Sequence, residues 1–141
     1  MIVQGVCNSY KKEILEGVHL LSHTYKIALF TSDATLNKNT TTYTGLTNEV
    51  ASGNGYTTGG NVLANKETLI INDTAILNFS PNPVWLASSF TARGALIYND
   101  SLEGKNAVGV LDFGQDYTCE NKNYEIEFPM SGESTSLIRV V

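Results

Sequence analysis

The hydrophobic period of this chain changes once, and the change falls at Tyr25. Before it, apolar residues recur every three to four positions, as on a helix; after it they alternate, as on a strand whose successive side chains point to opposite sides. Tyr25-Lys26-Ile27-Ala28-Leu29-Phe30-Thr31 is the first such run, rich in aromatic and aliphatic residues. Later runs are Phe90 to Tyr98, with Arg93-Gly94 inside it, Ala107 to Phe113, Tyr124 to Phe128 and Leu137 to Val141. Glu67 to Ile71 and Thr74 to Phe79 read either as two strands or as one strand bulged at Asn72-Asp73. Pro81-Asn82-Pro83 forces a turn before Val84-Trp85-Leu86, and Asn99 to Lys105 is another turn. About seven or eight short strands at this spacing predict a mainly β domain, an antiparallel β-sandwich or jelly roll with one N-terminal α-helix. A glycine inside a strand, as at Gly94, predicts a bend or a close approach of two backbones.

The helix is expected over residues 9–21, after an N-terminal arm of residues 1–8. Tyr10, Ile14, Val18 and Leu21 form its apolar stripe and Ser9 is placed to cap it. Lys12 stands where a reciprocal capping box would need Glu or Gln. Residues 32–65 carry many Thr, Asn and Gly and read as one long loop, with a short edge strand at Leu46 to Val50.

The 141 residues suit a single domain spanning 1–141. Only 16% are charged and the net charge is -5, which disfavours a nucleic-acid partner and docking on an anionic membrane. No apolar run approaches a membrane span, and the start does not read as a secretory signal, because its lysines follow its apolar run. Cys7 and Cys119 are therefore expected as free thiols in a cytosol, and the Asn-x-Ser/Thr matches at Asn39, Asn72 and Asn78 as chance.

No nucleophile elbow, phosphate loop or zinc-protease motif occurs, so no enzyme activity is expected. Gly53-Asn54-Gly55 and Gly59-Gly60 form a loop with no helix after it to hold an anion. Glu13, Glu16 and His19 share a helical spacing that can bind metal, but a single helix cannot complete the shell, and a polar helix edge is the simpler reading. His23 is the other histidine. Asp112, Asp116 and Glu120 have the residue types for glycoside hydrolysis, but ordinary turns and surfaces are the favoured reading of them, as of Asp33, Asp73 and Asp100. Neither cysteine has a neighbouring activator in sequence. No catalytic, cofactor-binding or metal-binding residue is assigned, and no cofactor is expected. Three aromatic residues stand as candidates for an interface: Tyr43, Tyr56 and Trp85. Each has a second reading, Trp85 as core and the two tyrosines as tethers that pack the loop onto the sheets.

The segments NSYKKEILEGVH, YKIALFTSDATLNKNTTTYT, TNEVASGNGYTTGG, TARGALIYN and AVGVLDFG, with the terminal FP…LIRVV, occur in that order. Together they resemble a group of small virion proteins of tailed bacteriophages, over nearly the whole chain, with GYTTGG and TARGALIYN the specific parts. The resemblance implies a non-enzymatic structural role in the virion, preferably as a capsid decoration (cement) protein made in the host bacterial cytoplasm. Its expected partners are the major capsid protein or other virion subunits, and copies of itself, a trimer suiting threefold positions. A neck, tail or fibre-base adaptor and a surface glycan-binding module are the alternatives. On this reading residues 33–65 and 1–7 would carry the contacts, and deletion of Lys38 to Thr44 should leave the domain folded.

Overall fold

The computed structural model describes residues 1–132 and 134–141. Strands take up 47% of the chain and helix 6%, in two antiparallel sheets with one short helix near the N-terminus. In chain order the elements are β1 (Gly5–Val6), α1 (Asn8–Leu15), β2 (Tyr25–Phe30), β3 (Asn61–Leu63), β4 (Glu67–Ile71), β5 (Thr74–Asn78), β6 (Val84–Asn99), β7 (Ala107–Glu125) and β8 (Ile138–Val140). The larger sheet runs β1-β7-β6-β2-β3 and the smaller β4-β5-β8. Buried residues of both sheets, among them Ile27, Leu96, Leu77 and Ile138, belong to one core, a sandwich-like arrangement.

Strand β2 is buried at every position but Lys26. Alternation puts Tyr25, Ile27 and Leu29 on one face, where Tyr25 meets Phe79 with ring centroids 5.9 Å apart. Ala28 and Phe30 lie on the other, together with Tyr98 through the Lys26–Tyr98 register. That second face carries the long loop, whose Tyr43 ring stacks on Tyr98 at 4.4 Å. Burial on both faces explains the near-continuous apolar run Ile27-Ala28-Leu29-Phe30, in which Ile27, Leu29 and Phe30 each contribute roughly 1.5–3 kcal/mol.

Several boundaries differ from the sequence expectation. The helix ends at Leu15, with Glu16 as its cap and Gly17 at φ +75°. A glycine in the left-handed region just past the last turn is a strong helix stop. Val18 and Leu21 therefore lie outside the helix, and Leu21 is exposed. Ser9 does not cap it; Cys7 occupies that position with no side-chain cap bond. The helix starts there because Cys7 is still extended, its N–H donating to Val108 O at 3.0 Å while its carbonyl accepts from Lys11 N–H at 3.2 Å.

Residues 1–7 are stitched into the fold: Ile2 is buried, and the Met1 ammonium donates to Ala34 O at 2.9 Å. Residues 32–65 are not all loop, since Asn61–Leu63 pairs with β2. Leu46 to Val50 forms a single bridge, Phe30 to Glu49, in place of a strand. Asn72 and Asp73, both at positive φ, make a two-residue hairpin turn between two strands. The segment Val84-Trp85-Leu86 joins Phe90 to Tyr98 as one bent strand, and Tyr124 joins the end of β7. Gly94 sits where the backbones close: a Cβ there would lie 2.6 Å from Leu111 O.

Candidate functional site

The long loop is held to the larger sheet by one carboxylate. Glu49 sits beside the end of β2, placed there by the Val50 N–H donating to Leu29 O at 2.9 Å and the Thr31 N–H to Asn48 O at 2.9 Å. Its Oε1 accepts from the Tyr43 hydroxyl at 2.6 Å. Its Oε2 accepts from the Tyr56 hydroxyl at 2.6 Å and from the Gly59 N–H at 2.7 Å. Tyr56 also accepts from the Leu29 N–H at 2.9 Å, and the Tyr98 hydroxyl donates to Gly59 O at 2.6 Å. Burial, and then the adjoining carboxylate, push the Tyr43 and Tyr56 phenols well above the ordinary tyrosine range. They are fixed hydrogen-bond donors.

The GYTTGG motif supplies the geometry of this closure. Gly60, at φ +78°, passes so close to β2 that a Cβ would fall 1.8 Å from Ile27 O. Gly55, at φ +91°, lies against Ser88, where a Cβ would meet Oγ at 2.3 Å. Here the glycines serve close approach of backbone to backbone.

Of the three candidate interface aromatics, Tyr56 and Trp85 are each 2% exposed. Their rings meet at 6.1 Å, with Phe90 and Tyr124 beside them. Tyr43 is half-buried on Tyr98. The structure therefore uses them inside the chain, as tethers and core, and the interface reading of Tyr56 and Trp85 is corrected accordingly. The reason is the path of the loop, which folds back across the sheet. Deletion of Lys38 to Thr44 would remove Tyr43 and the Ala107 N–H to Thr41 O bond of 2.9 Å, so it carries a stability cost that the sequence did not announce.

The histidines also leave the expected place. His19 lies beyond the helix, its side chain 2% exposed and its ring 4.7 Å from that of Tyr10. Its Nε2 pairs with Glu13 Oε1 at 2.9 Å. The Nδ2 amide of the fully buried Asn99 faces His19 Nδ1 at 3.1 Å and His23 Nδ1 at 2.9 Å. The Asn99 Oδ1 accepts from the Ser101 N–H at 3.1 Å, which orients that amide and makes both Nδ1 atoms acceptors. Asn106 Nδ2 donates to Glu13 Oε2 at 2.6 Å. This is a polar clamp between the segment after α1 and the β6–β7 turn. Among the described residues no group of three or more His, Cys, Asp or Glu is placed to hold a metal ion.

The acidic candidates do not converge. Asp112 accepts from the Gly114 N–H at 2.9 Å and pairs with Arg93 at 3.2 Å, while Asp116 and Glu120 are exposed farther along β7. The Gly114 N–H, and then Arg93, hold the Asp112 carboxyl below the usual carboxylate range. Asp100 pairs with Lys105 at 2.9 Å and Lys26 at 3.6 Å, Lys105 chiefly keeping it ionised. Both cysteines are buried free thiols, and burial pushes Cys7 up to about 11.

Two outward-facing surfaces of the sheets stand out among the described residues. One is the β3–β4 side, where Val62, Leu69 and Ile70 are exposed, Ile70 at 73%. The other is the distal half of β7. Glu49 and the Asn99 clamp carried no signal in the sequence beyond the presence of two tyrosines and an acid in one polar segment. No protein-family model, no curated protein and no solved structure matches the chain.

Proposed function

We propose that this chain is a structural protein of a tailed-bacteriophage virion, attached to the capsid exterior as a decoration protein. It works by binding major capsid subunits, and copies of itself as a homo-oligomer, a trimer suiting threefold positions of a shell. It is made in the host bacterial cytoplasm and acts in the particle, without a cofactor, a nucleic-acid partner or a membrane.

The observation that carries this reading is the locked loop. A Thr/Asn/Gly-rich segment of this length usually moves; here Glu49, Tyr43, Tyr56 and Gly59 fix it to the sheet. The result is a stiff domain with a polar, hydrogen-bonding exterior, which loses little conformational entropy on docking. The segments that carry the resemblance to phage virion proteins are the ones that build this closure, GYTTGG in the loop and TARGALIYN in β6. The glycan-binding alternative is less favoured, because Tyr56 and Trp85 face inward and the half-buried Tyr43 already stacks on Tyr98.

The test is the composition and imaging of purified particles. The expected result is the protein present in many copies with density on the outer shell surface. Absence from particles overturns the reading, and density confined to the neck or tail replaces it with the adaptor role.

A further inference from the structure

Strand β1 covers the outer side of β7 only at Val110 and Gly109, extended by the Cys7 N–H to Val108 O and by Gln4 Oε1 accepting from the Asp112 N–H at 3.1 Å. From Phe113 to Glu125, no described residue pairs its backbone with that side. Beside this edge runs a groove of about 450 Å³. Phe113, Tyr117, Cys119, Tyr124 and Ile126 supply its apolar lining. Cys119 and Tyr124 belong to the core, Phe113 and Ile126 are half-buried, and Tyr117 is 47% exposed. The interior of the sandwich thus reaches the surface along the open edge of a strand whose other side is paired with β6.

The charge here is one-sided. Between Phe113 and Phe128 the chain carries Asp116, Glu120, Glu125 and Glu127, all exposed, against the single cation Lys122. Asp116 and Glu120 lie outside the groove lining, whereas Glu125, Glu127 and Lys122 line it beside the apolar residues. A second copy is the weaker occupant: each copy brings four carboxylates and one lysine to the seam, so two copies repel where a basic segment is attracted.

We infer that this edge accepts an extended, basic segment of another protein chain as an added strand. Strand addition supplies main-chain hydrogen bonds, and alternate side chains of the incoming strand point to opposite faces. Those on one face enter the groove against Phe113, Tyr117 and Ile126 and are apolar. Those on the other meet Asp116 and Glu120 and are lysine or arginine. The bulge at Gly114 (φ +83°) and the one at Asn121 (φ 51°) bracket a short pairing length around Tyr117 to Glu120. That the partner is a shell subunit rests on the function proposed above; the chemistry of the edge does not.

The probe is a short blocked peptide alternating valine with lysine, added to the isotope-labelled full chain, with a valine–glutamate peptide as control. The expected result is amide shifts and slowed hydrogen exchange confined to residues 113–127 with the lysine peptide alone, weakening as salt is raised. Asp116→Lys combined with Glu120→Lys is expected to weaken binding about tenfold, from two lost charge pairs. The amide signals of Ile97 and Tyr98 should stay in place in that variant, which verifies its fold. Equal binding of both peptides, shifts elsewhere, or no shifts with the fold intact overturn the inference. Peptide binding at this edge by a protein absent from particles would leave the edge standing and remove the shell partner; a particle protein whose edge ignores the peptide would do the reverse.

Discussion

At the scale of single residues, Glu49 is the position on which most depends. It accepts from two phenols and one backbone N–H, and each donor left without a partner in a buried setting costs about 1–3 kcal/mol. Glu49→Ala is therefore expected to destabilise the protein by about 3 kcal/mol, read as a lowered urea midpoint. Glu49→Gln should cost less, about 1–2 kcal/mol, because the amide oxygen still accepts from Tyr56 and Gly59 while its NH2 faces the Tyr43 hydroxyl, which can turn to accept. A loss in Glu49→Ala with none in Glu49→Gln would show that the side chain acts by packing and not as an acceptor of three bonds. Gly60→Ala should cost more than about 3 kcal/mol, since it combines a positive φ with a Cβ placed into Ile27 O. Little of this was legible in the sequence. Tyr43 and Tyr56 stood out as aromatic residues in a polar stretch, but nothing local says that such a residue turns inward. Its partner lies on a segment whose path is fixed only by pairing with β2.

Among the elements, the strands were legible where burial alternates, and less so where a nonlocal layer covers a second face. Strand β2 was found in nearly its true bounds, whereas β3 was hidden inside the long loop because a three-residue strand leaves too short a pattern. The helix was overextended because Val18 and Leu21 continue the apolar spacing; Gly17 overrides them by offering a left-handed exit. The β4–β5 hairpin shows what sequence left open and backbone geometry settles. Asn72 at φ 46° and Asp73 at φ 64° form a two-residue turn that favours glycine at its second position. Asp73→Gly is expected to raise stability by about 0.5 kcal/mol, relief of the positive φ exceeding the added entropy of the unfolded chain. The check is an upward shift of the urea midpoint with an unchanged slope.

On the scale of the whole molecule, the titratable groups predict a stability profile with opposed slopes above neutrality. Lys66 sits with its Nζ 4.0 Å over the Tyr25 ring and donates to Leu20 O, and burial lowers it from 10.5 to about 8. The unfolded chain thus holds that proton to higher pH than the folded chain, so stability rises between pH 8 and 10.5 as the buried amine becomes neutral. Cys7 works in the opposite sense: its thiol stays protonated to about 11 when folded but ionises from 9 when unfolded, and stability falls across that window. The tyrosines add to the fall. Tyr10, Tyr25, Tyr43, Tyr56, Tyr98 and Tyr124 are all raised above 10 by burial first, so unfolding releases their protons above pH 10. One lysine opposes six phenols and a thiol, so the maximum should fall between pH 8 and 9 and the decline steepen beyond 10. At the acid end Asp100 and Asp112, both held below 3.8 by their partners, lose their contribution as pH falls through that range. Lys66→Met keeps most of the packing over Tyr25 and removes the amine. Its urea midpoints, measured from pH 7 to 11, should lack the rise between 8 and 9 and keep the fall above 10. A rise that survives in Lys66→Met would assign it to another group.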